Sequence, residues 1–234
     1  MALPFFYTTT LSPVNSFLTL NEESSKHIVQ VLRMNAGEAL QLTDGKGNIS
    51  QAIVENPHKK SCVVKITANH YQQQPLQNTI AISLTKNTSR FEWFLEKATE
   101  LGITHIIPLL CERTERSHLR VERMQTILIS ALLQSQQSWL PVLQEPLPYK
   151  TYMQERAAAN SFIAHCVDSD KKELQDYLTI TNKPAAVCIG PEGDFTPGEI
   201  ELALSNGWLP VSLGTTRLRT ETAGMTAAVL LTHR

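Results

Sequence analysis

IGPEGDFTPGEI (Ile189–Ile200) and LGTTRLRTETAG (Leu213–Gly224) are the two stretches that decide how this chain folds. Each reads as an apolar strand running into a polar loop that opens a helix. Such loops leave backbone N–H and C=O groups free at the strand ends, where α/β sheets bind ligands. Gly190 and Gly193 permit close backbone approach in the first loop. The second places Arg219 and Glu221 beside Thr220 and Thr222, more chemistry than a connector needs. Thr196-Pro197-Gly198-Glu199 has the form of a capping box with proline at the first helical position, and Gly207 follows where that helix should end. The ten glycines form neither GxGxxG nor GxxxxGK[ST], so the common nucleotide loops are absent.

Upstream, strand and helix alternate from Thr79 onward. Ile80–Thr85 and Ile103–Leu110 read as strands around a helix at Ser89–Leu101, whose apolar stripe is Phe91, Phe94, Leu95, Ala98 and Leu101. A long helix is expected from about Val121 to Gln136, then strands at Ser161–Val167, Ala185–Ile189 and Leu209–Leu213. This alternation predicts a mostly parallel sheet with helices on both faces. Residues 1–72 differ. Ala39–Thr43, Asn48–Glu55 and Ser61–His70 are rich in β-branched residues, with turns at Asp44-Gly45-Lys46-Gly47 and Asn56-Pro57-His58. One helix interrupts them, with Asn21 as N-cap and Glu22 and Glu23 in its first turn. That is the pattern of a small β-barrel. Tyr71-Gln72-Gln73-Gln74-Pro75 is the linker candidate, giving expected domains at 1–72 and 76–234.

Composition narrows the class further. The chain has 234 residues, 42% of them hydrophobic, which suffices for one large core or two modest ones. Net charge is −1 and pI about 6.7, so bulk charge does not announce a nucleic-acid binder. Lys and Arg outnumber Asp and Glu six to five in residues 1–74 and eight to seven in 75–150, but trail seven to ten in 151–234. Basic charge therefore sits away from the two loops. Cys62, Cys111, Cys166 and Cys188 stand far apart without CxxC spacing, and three lie in apolar runs; buried free thiols are expected, with no metal site. Met1-Ala2-Leu3-Pro4 lacks a basic leader and no apolar run reaches membrane-span length, which predicts a cytoplasmic protein.

The chain resembles the knotted (SPOUT) methyltransferases, and most closely the ribosomal RNA small subunit methyltransferase E family (RsmE). The resemblance rests on Gly190-Pro191-Glu192-Gly193 with Glu199-Ile200, on Leu213-Gly214, and on Leu218-Arg219-Thr220-Glu221-Thr222-Ala223. Earlier matches in the same order are His27, Val31-Leu32-Arg33, Gly37, Arg90, Glu92, Lys97 to Gly102, Glu112-Arg113, Gln134-Ser135 and Pro141. Asp194 departs from the usual second glycine of the first loop. Leu133 and Gln137 stand where an acidic and a basic residue are expected. The resemblance implies a trefoil-knotted α/β domain behind a PUA-like RNA-binding barrel. It also implies a homodimer, S-adenosyl-L-methionine as cofactor, and methylation of N3 of a uridine in 16S rRNA of the small ribosomal subunit. The rival readings are a knotted enzyme acting on another RNA or on a ribose 2′-OH, and a non-catalytic RNA-binding assembly factor.

Under this resemblance the cofactor-binding candidates are Gly190, Pro191, Glu192, Gly193, Leu213, Gly214, Leu218, Arg219, Thr222 and Ala223. Leu213, Gly214 and Leu218 suit a slot for adenine. Uridine N3 carries a weakly acidic proton that must leave before the nitrogen can attack a methyl group, and the anion needs a donor. Arg219 is the candidate donor, and Glu221 a base or a partner that orients Arg219. Glu221 near a helix start is equally good N-terminal chemistry, so both readings stand. Lys26, His27, Arg33, Arg90 and Arg113 are the RNA-binding candidates. Arg113, Arg116, Arg120 and Arg123, spaced three, four and three apart, would form one stripe if helical; alternating Glu112, Glu115 and Glu122 favour a solvated ion-pair face.

Overall fold

A computed structural model describes residues 3–155, 160–180 and 183–233. Met1, Ala2 and Arg234, which bound the expected domains, lie outside the described residues. The chain divides into two compact units. The first takes Met1–Gln74 together with Leu132–Leu140, and the second Pro75–Ala131 with Pro141–Arg234.

In the first unit, β1 (Phe5–Tyr7) and β2 (Phe17–Thr19) precede α1 (Glu22–Lys26), a π-helical turn (His27–Val31), β3 (Ala39–Thr43), β4 (Asn48–Asn56) and β5 (Val63–Tyr71). The sheet order is β1-β3-β4-β5-β2, antiparallel except for the β1–β3 pair. Alternate residues point inward, as the pleat requires: Leu40, Leu42, Ala52, Val54, Val64 and Ile66 form one core with Phe6, Ile28 and Cys62. Asn21 caps α1 as expected, accepting from the Ser24 N–H at 2.8 Å. Residues 132–140 belong here because Trp139 is anchored within the unit. Its indole N–H donates to the Gln72 carbonyl at 3.0 Å, and Ser138 donates to the Gln72 side chain at 2.6 Å. Gly47, at φ +88°, is glycine because a Cβ there would meet the Trp139 ring at 2.5 Å.

The second unit contains β6 (Thr79–Ser83), α2 (Thr88–Glu100), β7 (His105–Leu110), α3 (Val121–Gln134, which crosses between units), β8 (Val142–Leu143), β9 (Leu147–Pro148) and α4 (Tyr149–Glu155). It continues with β10 (Ser161–Ala164), β11 (Lys172–Glu173), α5 (Leu174–Leu178), β12 (Ala186–Ile189), α6 (Pro197–Ser205), β13 (Leu209–Ser212) and α7 (Thr220–Thr232). The order is β11-β13-β10-β12-β6-β7-β8, with β9 also beside β7, and every pairing is parallel. Every residue of central β6 and β12 is buried, as for strands covered on both faces. Ala81, Ile107, Ile163 and Cys188 pack with Tyr149, Tyr152 and Met153 of α4 and Ile200 and Ala203 of α6. On the opposite face α7 lies against α2, β6 and β12. Gly224 makes that approach possible, since a Cβ there would lie 2.8 Å from both Ile82 and Phe94.

Local signals held where they were strong. Thr196 and Glu199 form the reciprocal capping box with Pro197 in the first turn, and Gly207 follows the helix at φ +81°. Of the expected α2 stripe, Phe91, Phe94, Leu95 and Ala98 are buried; Leu101 is the C-cap and only half-buried. The arginine stripe does not form. The helix starts at Val121, so Arg113, Arg116 and Arg120 lie before it, while Arg123 forms a bidentate pair with Glu92 at 2.7 and 3.0 Å. All four cysteines are free and three are buried, with burial pushing the Cys111 thiol up to about 12.

Candidate active site

Because all these strands are parallel, their C-terminal ends share one edge of the sheet. The expected strand Ser161–Val167 stops there at Ala164, since the Cys166 N–H leaves the ladder to bond Asp194 Oδ2 at 2.8 Å. Asp194 also accepts from the Phe195 N–H at 2.9 Å, and its own N–H donates to the Pro191 carbonyl at 2.9 Å, closing a turn. Its φ of +63° is left-handed. That explains the substitution at the glycine position, because aspartate tolerates this conformation and here ties two loops together.

The rest of the first loop is equally fixed. Glu192 accepts from the Lys86 N–H at 3.0 Å, after β6. Arg113, after β7, donates to the Gly193 carbonyl at 2.6 Å. Glu199 accepts from the Glu112 N–H at 2.9 Å and the Thr196 N–H at 2.8 Å. Gly190 allows Phe195 to sit close, a Cβ there meeting the ring at 3.1 Å.

The second loop joins the first through Thr220, whose hydroxyl donates to the Gly190 carbonyl at 3.0 Å. A cleft follows the junction. One cavity of about 410 Å³ is lined by His165, Lys171, Leu213, Gly214, Leu218 and Ala223 among others; another of about 240 Å³ is lined by Gly190, Pro191, Glu192, Asp194, Arg217 and Arg219 among others. Ala164, Cys166, Arg217, Leu218 and Ala223 line both, so the two are parts of one cleft. The volumes suit a small-molecule site.

Arg219 is the N-cap of α7. It is exposed and makes no side-chain hydrogen bond or ion pair among the described residues. Glu221, two residues on, is buried, and its Oε1 lies 3.5 Å from Nε of Arg90. Its Oε2 is buried without a partner among the described residues. Glu221 thus pairs with Arg90 rather than Arg219, and it caps no N–H of its helix among the described residues. Arg90 comes from the first turn of α2, which Asn87 caps.

The sequence-derived candidates therefore divide. Gly190, Pro191, Glu192, Leu213, Gly214, Leu218, Arg219 and Ala223 line the cleft; Gly193 and Thr222 do not, although Gly193 is gripped by Arg113. Arg113 bonds to the first loop, and Arg90 pairs with the first turn of α7. In the first unit, Lys26 is exposed and paired with Glu22 at 2.8 Å, His27 meets the Phe6 ring edge-on at 5.7 Å, and Arg33 is exposed at φ +54°. Among the cleft-lining residues the sequence reading did not name is His165. A polar side chain closing an apolar parallel strand, in Ala164-His165-Cys166, was the signal that could have found it. No cluster of three or more potential metal ligands occurs among the described residues, and none of their helices is long and apolar enough to cross a membrane.

The RNA methyltransferase domain model matches residues 72–232, and the RNA methyltransferase PUA domain model residues 20–67. Ribosomal RNA small subunit methyltransferase E of Synechocystis sp. is 34% identical over 215 residues, covering 90% of this chain and 71% of that protein. A crystal structure described as a probable rRNA-methyltransferase from Porphyromonas gingivalis superposes with a TM-score of 0.88 at 38% identity, over 97% of this chain and 95% of that one. Ribosomal RNA small subunit methyltransferase E from Neisseria gonorrhoeae, solved bound to S-adenosyl methionine, gives 0.85 at 28% identity, over 97% and 95%. Fold, cleft and matched models define the class, a knotted RNA methyltransferase behind a PUA-like domain. Within it, the chain belongs to the ribosomal RNA small subunit methyltransferase E family.

The cleft fits S-adenosylmethionine on its own terms. Leu213, Leu218 and Ala223 offer apolar wall, and Gly214, at φ +120°, has nothing within 4 Å of its Cβ position. His165 supplies a buried ring nitrogen, Nδ1, with no partner among the described residues.

Proposed function

We propose that this chain transfers a methyl group from S-adenosylmethionine to N3 of a uridine in 16S rRNA of the small ribosomal subunit. The observation that carries the reading is the Thr220–Gly190 junction, which sets the free Arg219 guanidinium at the edge of a cofactor-sized cleft. The relatives named for small-subunit ribosomal RNA support the substrate class. When bound, the cofactor supplies an electrophilic methyl group on a positively charged sulfur.

The chain's residues do the rest. Leu213, Gly214 and Leu218 hold the nucleoside, and the bonded first loop keeps the cleft in shape. Arg219 donates to a uracil oxygen and stabilises the imide anion left when the N3 proton departs to solvent water, so that the nitrogen lone pair takes the methyl group and S-adenosylhomocysteine leaves. Glu221 is too enclosed to meet the base, so we assign it as a positioning residue for Arg90. The 3.5 Å contact is long, and a bidentate fork would satisfy Oε2 as well; such pairs tighten when substrate arrives. Arg90 thereby adds a second guanidinium beside the reacting base.

Residues 1–72 dock RNA through Lys26, His27 and Arg33, residues 76–234 carry the reaction, and the protein works in the cytoplasm as a homodimer. Mass spectrometry of 16S rRNA from a strain lacking the protein tests the function. Loss of one 3-methyluridine, restored by the purified protein and S-adenosylmethionine, is the expected result; an unchanged pattern or a lost ribose methyl refutes it. A mass near twice 26.1 kDa in solution tests the dimer, and a fully active monomer refutes it.

A further inference from the structure

His165 follows the last residue of β10 and lines the larger cavity. It is only 8% exposed, and its Nδ1 is buried with no hydrogen-bond partner among the described residues. A buried polar atom left this way is destabilising unless a ligand completes it. Two neighbouring polar side chains of the wall, Ser212 and Lys171, are already engaged. The Ser212 hydroxyl bonds the N–H and carbonyl of Gly214, both at 3.1 Å. The Lys171 ammonium donates to the carbonyls of His165 at 2.8 Å and Val167 at 2.5 Å.

Burial holds the imidazole below its usual pKa, and Lys171 pushes the same way, against Asp194 and the Val167 backbone. A neutral ring suits an uncharged partner, not the cofactor's carboxylate. A hydroxyl both donates and accepts, so it matches either ring tautomer. Leu213 and Gly214, of the expected adenine slot, line only the His165 cavity, and the carboxylates Glu192 and Asp194 line only the other, which gives the His165 end to the nucleoside.

We infer that His165 Nδ1 hydrogen-bonds a ribose hydroxyl of the bound cofactor, making this residue a determinant of nucleoside recognition. The inference rests on the methyltransferase reading of the same cleft. Calorimetry with S-adenosylhomocysteine and its 2′-deoxy and 3′-deoxy forms tests it, on the parent protein and on His165→Phe, with thermal unfolding as the folding check. The phenyl ring keeps the shape and removes the nitrogen. Affinity of the variant should fall about ten- to a hundredfold. One deoxy form should bind the parent more weakly by a similar factor yet lose nothing further in the variant. If the variant binds like the parent, or the deoxy penalty persists in it undiminished, the inference fails while the function stands. If the variant does not fold, His165→Leu, which also carries no hydrogen-bonding atom, takes its place, and equal binding of all three ligands to the parent overturns the inference by itself. No binding of S-adenosylhomocysteine to the parent would instead sink the methyltransferase reading.

Discussion

Glu199 and Glu221 both stand in the first turn of a helix, both follow a loop at the sheet's edge, and both are buried. Glu199 has both oxygens satisfied, by the N–H groups of Glu112 and Thr196. Among the described residues Glu221 has one loose ion pair, to Arg90, and one oxygen with no partner. The same residue type in the first turn of a helix therefore serves two ends. A saturated carboxylate is structure; one with bonding capacity left is where a site is still incomplete. The contrast extends to the loops. Asp194, Glu192 and Arg113 fix the first, whereas Arg217 and Arg219 in the second make no side-chain hydrogen bond or ion pair among the described residues and face the cleft. One loop is a frame and the other a working arm.

The largest expected effect of breaking the arm is at Arg219. Arg219→Ala should lower single-turnover methylation by about two to three orders of magnitude, the range for one preorganised donor. Arg219→Lys should restore only part, because an ammonium cannot reproduce the planar fork. Glu221→Gln comes next. It keeps shape while loosening Arg90, and should cost about a hundredfold in rate, as misplacement of a reacting group does. Rate profiles against pH separate the roles: a positioning residue gives the same defect throughout, while a defect that vanishes at alkaline pH would mark Glu221 as the proton acceptor.

The frame should fail differently. Asp194→Ala removes two side-chain hydrogen bonds and forces a left-handed backbone onto alanine. Thermal and urea unfolding should show a loss of about 1–3 kcal/mol, and Asp194→Gly, which relaxes the backbone, should lose less. Equal losses would mean strain plays no part. The smallest effect is expected in the first unit. Arg33→Ala should leave the melting temperature alone and flatten the slope of log affinity for RNA against log salt by about 0.7–0.9, one phosphate contact. An unchanged slope would remove Arg33 from the RNA face.

What could be read from sequence was what is local. The capping box at Thr196–Glu199, the cap at Asn21 and the stripe of α2 each depend on residues within a turn of one another, and each is present. The two loops were legible because strand, polar turn and helix start follow in order. Partnerships were not. Arg90 and Glu221 lie far apart in the chain, and nothing in either segment shows that α2 and α7 bring them together. Arg113 looked like part of a charged helical face, but the segment is not helical and its guanidinium holds the Gly193 carbonyl. The two-residue strands β8, β9 and β11 carry too little pattern to be seen. Residues 132–140 join the first unit through Trp139 and Ser138, contacts that no composition shift announces.

The division between frame and arm meets its most direct test in the dissociation constant of Arg219→Ala for S-adenosylmethionine, measured by calorimetry on the same sample whose methylation rate has been determined. The sulfonium is itself positive and gains nothing from a nearby guanidinium. The account predicts a value within about threefold of the parent, a difference well under the 1.4 kcal/mol that a tenfold change represents, while the rate is lost. Cofactor binding lost in proportion to the rate would contradict it, because Arg219 would then belong to the frame.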